Sequence, residues 1–130
     1  MPSIFTKIIN KEIPGYIIAE TDTCIAFLDL FPLAMGHVLI VPKEEIDYIF
    51  AMKDSLLCEM ILFSKKISIA LEKAVPCKRI GVAVIGLEVP HAHIHLLPLQ
   101  TVQDINFSRE KLKPSKEELE KIADLIKSYL

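Results

Sequence analysis

The stretch Gly86-Leu87-Glu88-Val89-Pro90-His91-Ala92-His93-Ile94-His95-Leu96-Leu97-Pro98 constrains this chain more than any other. Three of its four histidines fall there at i, i+2 and i+4, with Val82, Val84 and Ile85 just upstream. Aliphatic residues alternating with histidine read as a strand, in which side chains repeat on one face every second residue. His91, His93 and His95 are therefore expected to point the same way, at steps of roughly 6–7 Å. A row of imidazoles is costly to bury without partners, so three incidental core histidines explain the pattern poorly.

The rest of the chain supplies a setting for such a strand. Ile4, Phe5, Ile8, Ile9 and Ile13 recur at helical spacing and predict a short helix, stopped by Pro14-Gly15. Residues 16–20 and 24–29 read as two strands of a hairpin, joined by the polar Glu20-Thr21-Asp22-Thr23. A loop punctuated by Pro32 and Gly36 leads to a third strand over 37–42, closed by Pro42. Residues 43–50 have room for a short helix. A longer helix follows, with Asp54 as N-cap, Leu57, Met60, Ile61, Ser64, Ile67, Leu71 and Ala74 on its apolar face, and Pro76 as its stop. Residues 78–85 read as a fourth strand, Gly86 as a turn and the histidine stretch as a fifth strand, antiparallel to its neighbours because the links are short. Beyond Leu99 the chain turns polar. A last helix starts at Ser115, with Glu118 completing a capping box and Leu119, Ile122, Ile126 and Tyr129 forming one apolar stripe. The expected class is α+β, an antiparallel sheet with helices packed against it.

Composition narrows the partners. At 130 residues the chain suits one domain with a sizeable core. With 15 basic and 17 acidic residues, net charge −2, it lacks the basic footprint of a protein that holds a nucleic-acid polymer. A nucleotide monomer needs only local contacts and is not excluded. No apolar run approaches the roughly 20 residues of a membrane span, and residues 1–7 lack a signal-peptide apolar core. Cys24, Cys58 and Cys77 are odd in number and form no CxxC pair, which points to reduced thiols and a cytoplasmic location.

His91-Ala92-His93-Ile94-His95-Leu96-Leu97 matches His-φ-His-φ-His-φ-φ. With that motif the chain resembles the histidine triad (HIT) family of nucleotide hydrolases and transferases, in particular its small purine nucleoside phosphoramidase-like branch. Gly36-His37-Val38-Leu39-Ile40-Val41-Pro42-Lys43 resembles the family's GHxLxxPK segment. The likeness runs from Ile4 to about Leu99; residues 100–130, a tail and a helix, resemble the family less clearly. The resemblance implies a single HIT domain over 1–130, a five-stranded antiparallel sheet with packed helices, a homodimer, and a purine nucleotide substrate derived from AMP or GMP, with no cofactor or metal. It implies that His93 attacks the α-phosphorus to form a nucleotidyl-histidine, its other ring nitrogen held by the backbone carbonyl of His91. It places His95 beside the phosphate and pairs it with His37. It assigns Asp29 to the ribose hydroxyls, sets Ile4, Phe5, Ile8, Ile13, Phe27 and Leu30 near the base, and brings Leu87, Glu88 and Val89 to the phosphate side.

The chain departs from the family at several points. Leu87 stands where GQxVxHxHxH has glutamine, Glu88 where many relatives have serine or threonine, and Ile80 where an asparagine is expected. These exchanges remove polar contacts to phosphate and leaving group while keeping the nucleophile. Ser3 and Thr6 occupy the positions of a zinc-binding CxxC in some relatives, so that structural zinc site is expected to be missing.

Three functions fit these residues. The first is hydrolysis of a phosphoramidate or phosphoanhydride of a purine nucleoside monophosphate. The second is a metal centre built from the triad and His37, although ligands spaced roughly 6–7 Å apart on one strand must then converge. The third is a nucleotide-binding module without turnover, for which Leu87 and Glu88 speak.

Overall fold

The computed structural model describes residues 2–130. Helix α1 (Ile4–Ile9) opens with the Ser3 hydroxyl accepting from the Thr6 N–H at 3.0 Å. It is shorter than the apolar spacing suggests. Asn10 caps it, Lys11 turns into the left-handed region at φ 61°, and Glu12 folds back to the Lys7 carbonyl at 2.8 Å. Strands β1 (Ile17–Glu20) and β2 (Cys24–Leu28) form the expected hairpin, whose turn is held by the Thr21 hydroxyl accepting from the Cys24 N–H at 3.0 Å. Strand β3 (Val38–Pro42) follows.

Residues 43–50 hold no α-helix; one 3₁₀ turn, Ile49–Ala51, lies there instead. Helix α2 (Asp54–Ala74) has Lys53 at its N-cap position, so Asp54 sits in the first turn rather than before it, where its charge opposes the helix dipole's positive end. Met60, Ser64, Ile67, Leu71 and Ala74 face the core as the spacing predicts. Phe63 and Ala70 join them, whereas Ile61 is 50% exposed, one residue and about 100° out of phase. Strands β4 (Arg79–Ala83) and β5 (Ile94–Leu99) and helix α3 (Lys116–Lys127) complete the fold. Ser115 and Glu118 form the capping box of α3, and Leu119, Ala123 and Ile126 bury its inner face; Tyr129 lies past its end and is exposed.

The sheet is antiparallel throughout, in the order β1-β2-β3-β5-β4. Cross-strand partners share a face. Ala26, Ile40 and Ile94 are such partners and look toward α2 and α3, in the larger core. Phe27, Leu39 and His95 form the adjacent row and look the other way, toward α1. Phe5, Ile8, Ile25, Phe27, Leu39 and Val41 make a smaller core there. Because both faces of β2 and β3 are covered, these strands read as unbroken apolar runs rather than alternating ones.

The histidine stretch is a strand only in part. β5 begins at Ile94, which leaves His91 and His93 in the long connection from β4. The ladder to β3 stops at Ile40 and Ile94. Past that point Ala92 donates to the Ile46 carbonyl at 2.7 Å, and the Pro42 carbonyl is taken by a side chain, the His91 imidazole, at 2.8 Å.

Candidate functional site

A cleft of about 370 Å³ opens on the α1 side of the sheet. The end of β2 brings Asp29 to it, and the residue before β3 brings His37. β5 contributes His95, and the connection before β5 contributes His93 and the mouth residues Leu87, Glu88 and Val89. α1 provides one apolar wall with Ile4, Phe5 and Ile8, facing Phe27 and Leu30. Those twelve residues are all expected from the sequence. Two others are not in the cleft. Ile13 lies beyond the early end of α1 and packs behind it, against the smaller core. The His91 side chain is fully buried away from the cleft.

The three triad rings are not splayed. His91 and His93 both lie against Phe5, at centroid separations of 5.9 and 4.9 Å, and His93 stands 4.8 Å from His95.

Hydrogen bonds assign the tautomers. His93 Nδ1 donates to the His91 carbonyl at 2.7 Å, so in the neutral ring Nε2 carries a free lone pair. The Leu33 N–H donates to His37 Nδ1 at 3.1 Å, which puts the His37 proton on Nε2. That proton goes to His95 Nδ1 at 2.9 Å, which in turn leaves His95 with Nε2–H as a donor. Burial, with the neighbouring His95, pushes His37 down to about 3, and burial pushes His95 down to about 4. Both rings are therefore neutral at pH 7. Burial raises the Asp29 carboxyl, and its Oδ2 lies 3.7 Å from His37 Nε2.

His91 is held on every side. Its Nε2–H donates to the Pro42 carbonyl and its Nδ1 accepts from the Ser3 hydroxyl at 2.7 Å. Glu45 then accepts from the Ser3 N–H at 2.5 Å and from the Thr6 hydroxyl at 2.7 Å. Ser3 and Thr6 thus belong to a hydrogen-bonded cluster that seats α1 against the histidine stretch. This cluster also fixes the carbonyl on which His93 depends.

Among the described residues, one group offers metal-ligand geometry: Asp29, His37 and His95, with ligand atoms within 4.8 Å of one another. It differs from the set expected of the triad, since His91 and His93 are engaged elsewhere. In the hydrogen-bonded form the proton between His37 and His95 occupies the nitrogens a cation would need. The departures from the family pattern are also placed. Leu87 is 88% exposed at the mouth, Glu88 is exposed beside it, and Ile80 packs against the larger core.

Sequence reasoning missed several lining residues. Leu28, Phe31 and Leu39 flank expected residues, and Leu39 was readable as the i+2 neighbour of His37 on one strand face. Ile85 and Gly86 belong to the connection before the triad. Phe107 and Lys111 come from the polar segment after β5, whose composition carries no periodic signal.

Among the described residues no helix is long and apolar enough to cross a membrane. Comparison with known proteins agrees with the geometry. The HIT domain family model matches residues 10–102. An uncharacterized HIT-like protein of Borreliella burgdorferi is 37% identical over 113 residues, covering 82% of this chain and 81% of that one. The adenosine 5′-monophosphoramidase HNT1 of Saccharomyces cerevisiae is 36% identical over 100 residues, covering 73% of this chain and 61% of the yeast protein. The crystal structure of a Hit-like protein from Bartonella henselae superposes with a TM-score of 0.85 at 32% identity, covering 98% of this chain and 96% of the other. The motif, the sheet order that carries it and these matches agree, and the chain belongs to the HIT domain family.

Proposed function

We propose that this protein is a nucleotide hydrolase that cleaves a phosphoramidate or phosphoanhydride of a purine nucleoside monophosphate through a nucleotidyl-His93 intermediate. The observation that carries this reading is the 2.7 Å bond from His93 Nδ1 to the His91 carbonyl, made at the wall of a nucleotide-sized cleft. It aims a lone pair at Nε2 into the space where a phosphate would sit. Nε2 attacks the α-phosphorus; the N–P bond forms as the bond to the leaving group breaks, and an amine leaving group takes up a proton from solvent. Water then attacks the same phosphorus and releases a proton to solvent, the N–P bond breaks, and the nucleoside monophosphate leaves with the neutral imidazole restored. His95 Nε2–H donates to a phosphate oxygen in both steps, oriented by the chain from Leu33 through His37. Asp29 accepts from the ribose hydroxyls, and the apolar wall of α1, Phe27 and Leu30 receives the base. The activity named for the yeast relative supports the phosphoramidate as first substrate to try.

The test is intact mass after mixing the protein with adenosine 5′-phosphoramidate and quenching. A nucleotidyl adduct is expected in the wild type, and none in His93→Ala, whose nucleotide affinity stays within about tenfold, or roughly 1.4 kcal/mol. Turnover at wild-type rate in His93→Ala overturns the assignment. AMP binding without any adduct or turnover in the wild type would favour the non-catalytic module instead.

We further infer a cytoplasmic homodimer. Edge strand β4 supports the pairing, because Val82 is 60% exposed and Val84 and Ile85 are open beside it, a surface suited to a second copy of the chain.

A further inference from the structure

The cleft has an electrostatic problem. A nucleotide brings a phosphate, yet two carboxylates, Asp29 and Glu88, line the walls. His37 and His95 are neutral there. Leu87, at the mouth, offers no polar group to a phosphate, and Ile80 packs into the core on the other face of the sheet. Among the lining residues a single side chain carries a permanent positive charge, Lys111.

Lys111 comes from outside the span matched by the family model, which ends at residue 102. After β5 the chain crosses back over the cleft. Phe107 packs edge-on against His95 at 4.6 Å and against His37 at 6.2 Å. The Leu112 N–H donates to the Pro32 carbonyl at 2.8 Å and ties the crossing segment to the loop between Asp29 and His37. Between these anchors the Lys111 ammonium donates to the Phe107 carbonyl at 3.3 Å. That single contact leaves two of its three protons for other acceptors. Among the described residues it makes no ion pair, and its field reaches Asp29, His37 and His95 together. A half-buried ammonium without an ion pair, lining the same cleft as neutral imidazoles, is arranged to receive an anion.

We propose that Lys111 is a substrate-binding residue of this cleft, the cation that meets the nucleotide's 5′-phosphate between the cleft's two carboxylates. This rests on the nucleotide reading above. It makes the segment after β5 part of the binding site and gives the cleft a preference for a nucleotide over its nucleoside.

Binding of AMP and of adenosine to wild type, Lys111→Met and Lys111→Arg, by calorimetry at low and high salt, tests it. Methionine keeps the length of the stem and removes the charge. Lys111→Met should weaken AMP about tenfold or more and leave adenosine unchanged, while Lys111→Arg should hold AMP within about threefold of wild type. The AMP advantage over adenosine should shrink with salt in the wild type and vanish in Lys111→Met. Unchanged AMP affinity in Lys111→Met overturns the assignment, as does parallel loss of adenosine, which would mean that the segment is only a wall. Should the wild type bind neither ligand, the nucleotide reading itself fails and takes this one with it.

Discussion

At the residue scale, the buried imidazole pair sets how stability responds to acid. His37 and His95 have folded pKa values of about 3 and about 4, below the ordinary 6.5. Between those values and 6.5 the unfolded chain binds more protons than the folded one, so stability rises with pH through that window. Above pH 6.5 the pair adds no slope; as pH falls toward 4 its contribution is progressively lost. The buried His91 ring, also lowered by desolvation, acts in the same direction. Urea midpoints should therefore be level from pH 8 to 7 and drop steeply from pH 6 to 4.5. His95→Gln, which keeps a neutral hydrogen-bonding side chain, should flatten that drop. An equally steep drop in the variant would show that other groups cause it.

The same residues show what a sequence exposes. The two-residue spacing anticipates that the His93 and His95 rings share the cleft, although only His95 lies in a strand. It does not reveal that the His91 ring turns to Ser3 and Pro42, since that depends on partners 88 and 49 residues away. Nor does it expose Lys111: a lysine in a polar segment looks like solvated surface until the chain's return path is known.

At the scale of elements, Gly36 has the greatest influence on the site. Its φ of 92° is unfavourable for any residue with a Cβ, and an added Cβ would lie 3.0 Å from Val75 and 3.2 Å from Leu71 and Pro98. Gly36→Ala should cost roughly 1–2 kcal/mol from the backbone alone. Because His37 follows directly, it should also disturb the His37–His95 bond and lower turnover. Thermal unfolding and kinetics of the variant check both; a wild-type melting temperature would mean that the loop relaxes freely. The elements best read from sequence were those with local signals, such as the Ser115–Glu118 box and the stop at Pro76. Boundaries decided by distant partners were misplaced. α1 ends early through a left-handed Lys11, and β5 starts late because its neighbour's ladder ends at Ile40.

At the scale of the whole molecule, the exposed edge of β4 predicts self-association. The wild type should elute well above its chain mass of 14.7 kDa in size-exclusion chromatography with light scattering, and Val82→Lys should return it to that mass. A monomeric wild type would remove the homodimer. The sheet also divides its two faces between tasks. Alternate residues of β2 and β3 serve α2 and α3 on one side and the cleft on the other, and the cleft is closed by short pieces: six residues of α1, the mouth at 85–89 and the segment around Phe107. Evolution, or a designed library, is thereby free to rewrite what this scaffold accepts by changing its thin side while the thick side keeps it folded.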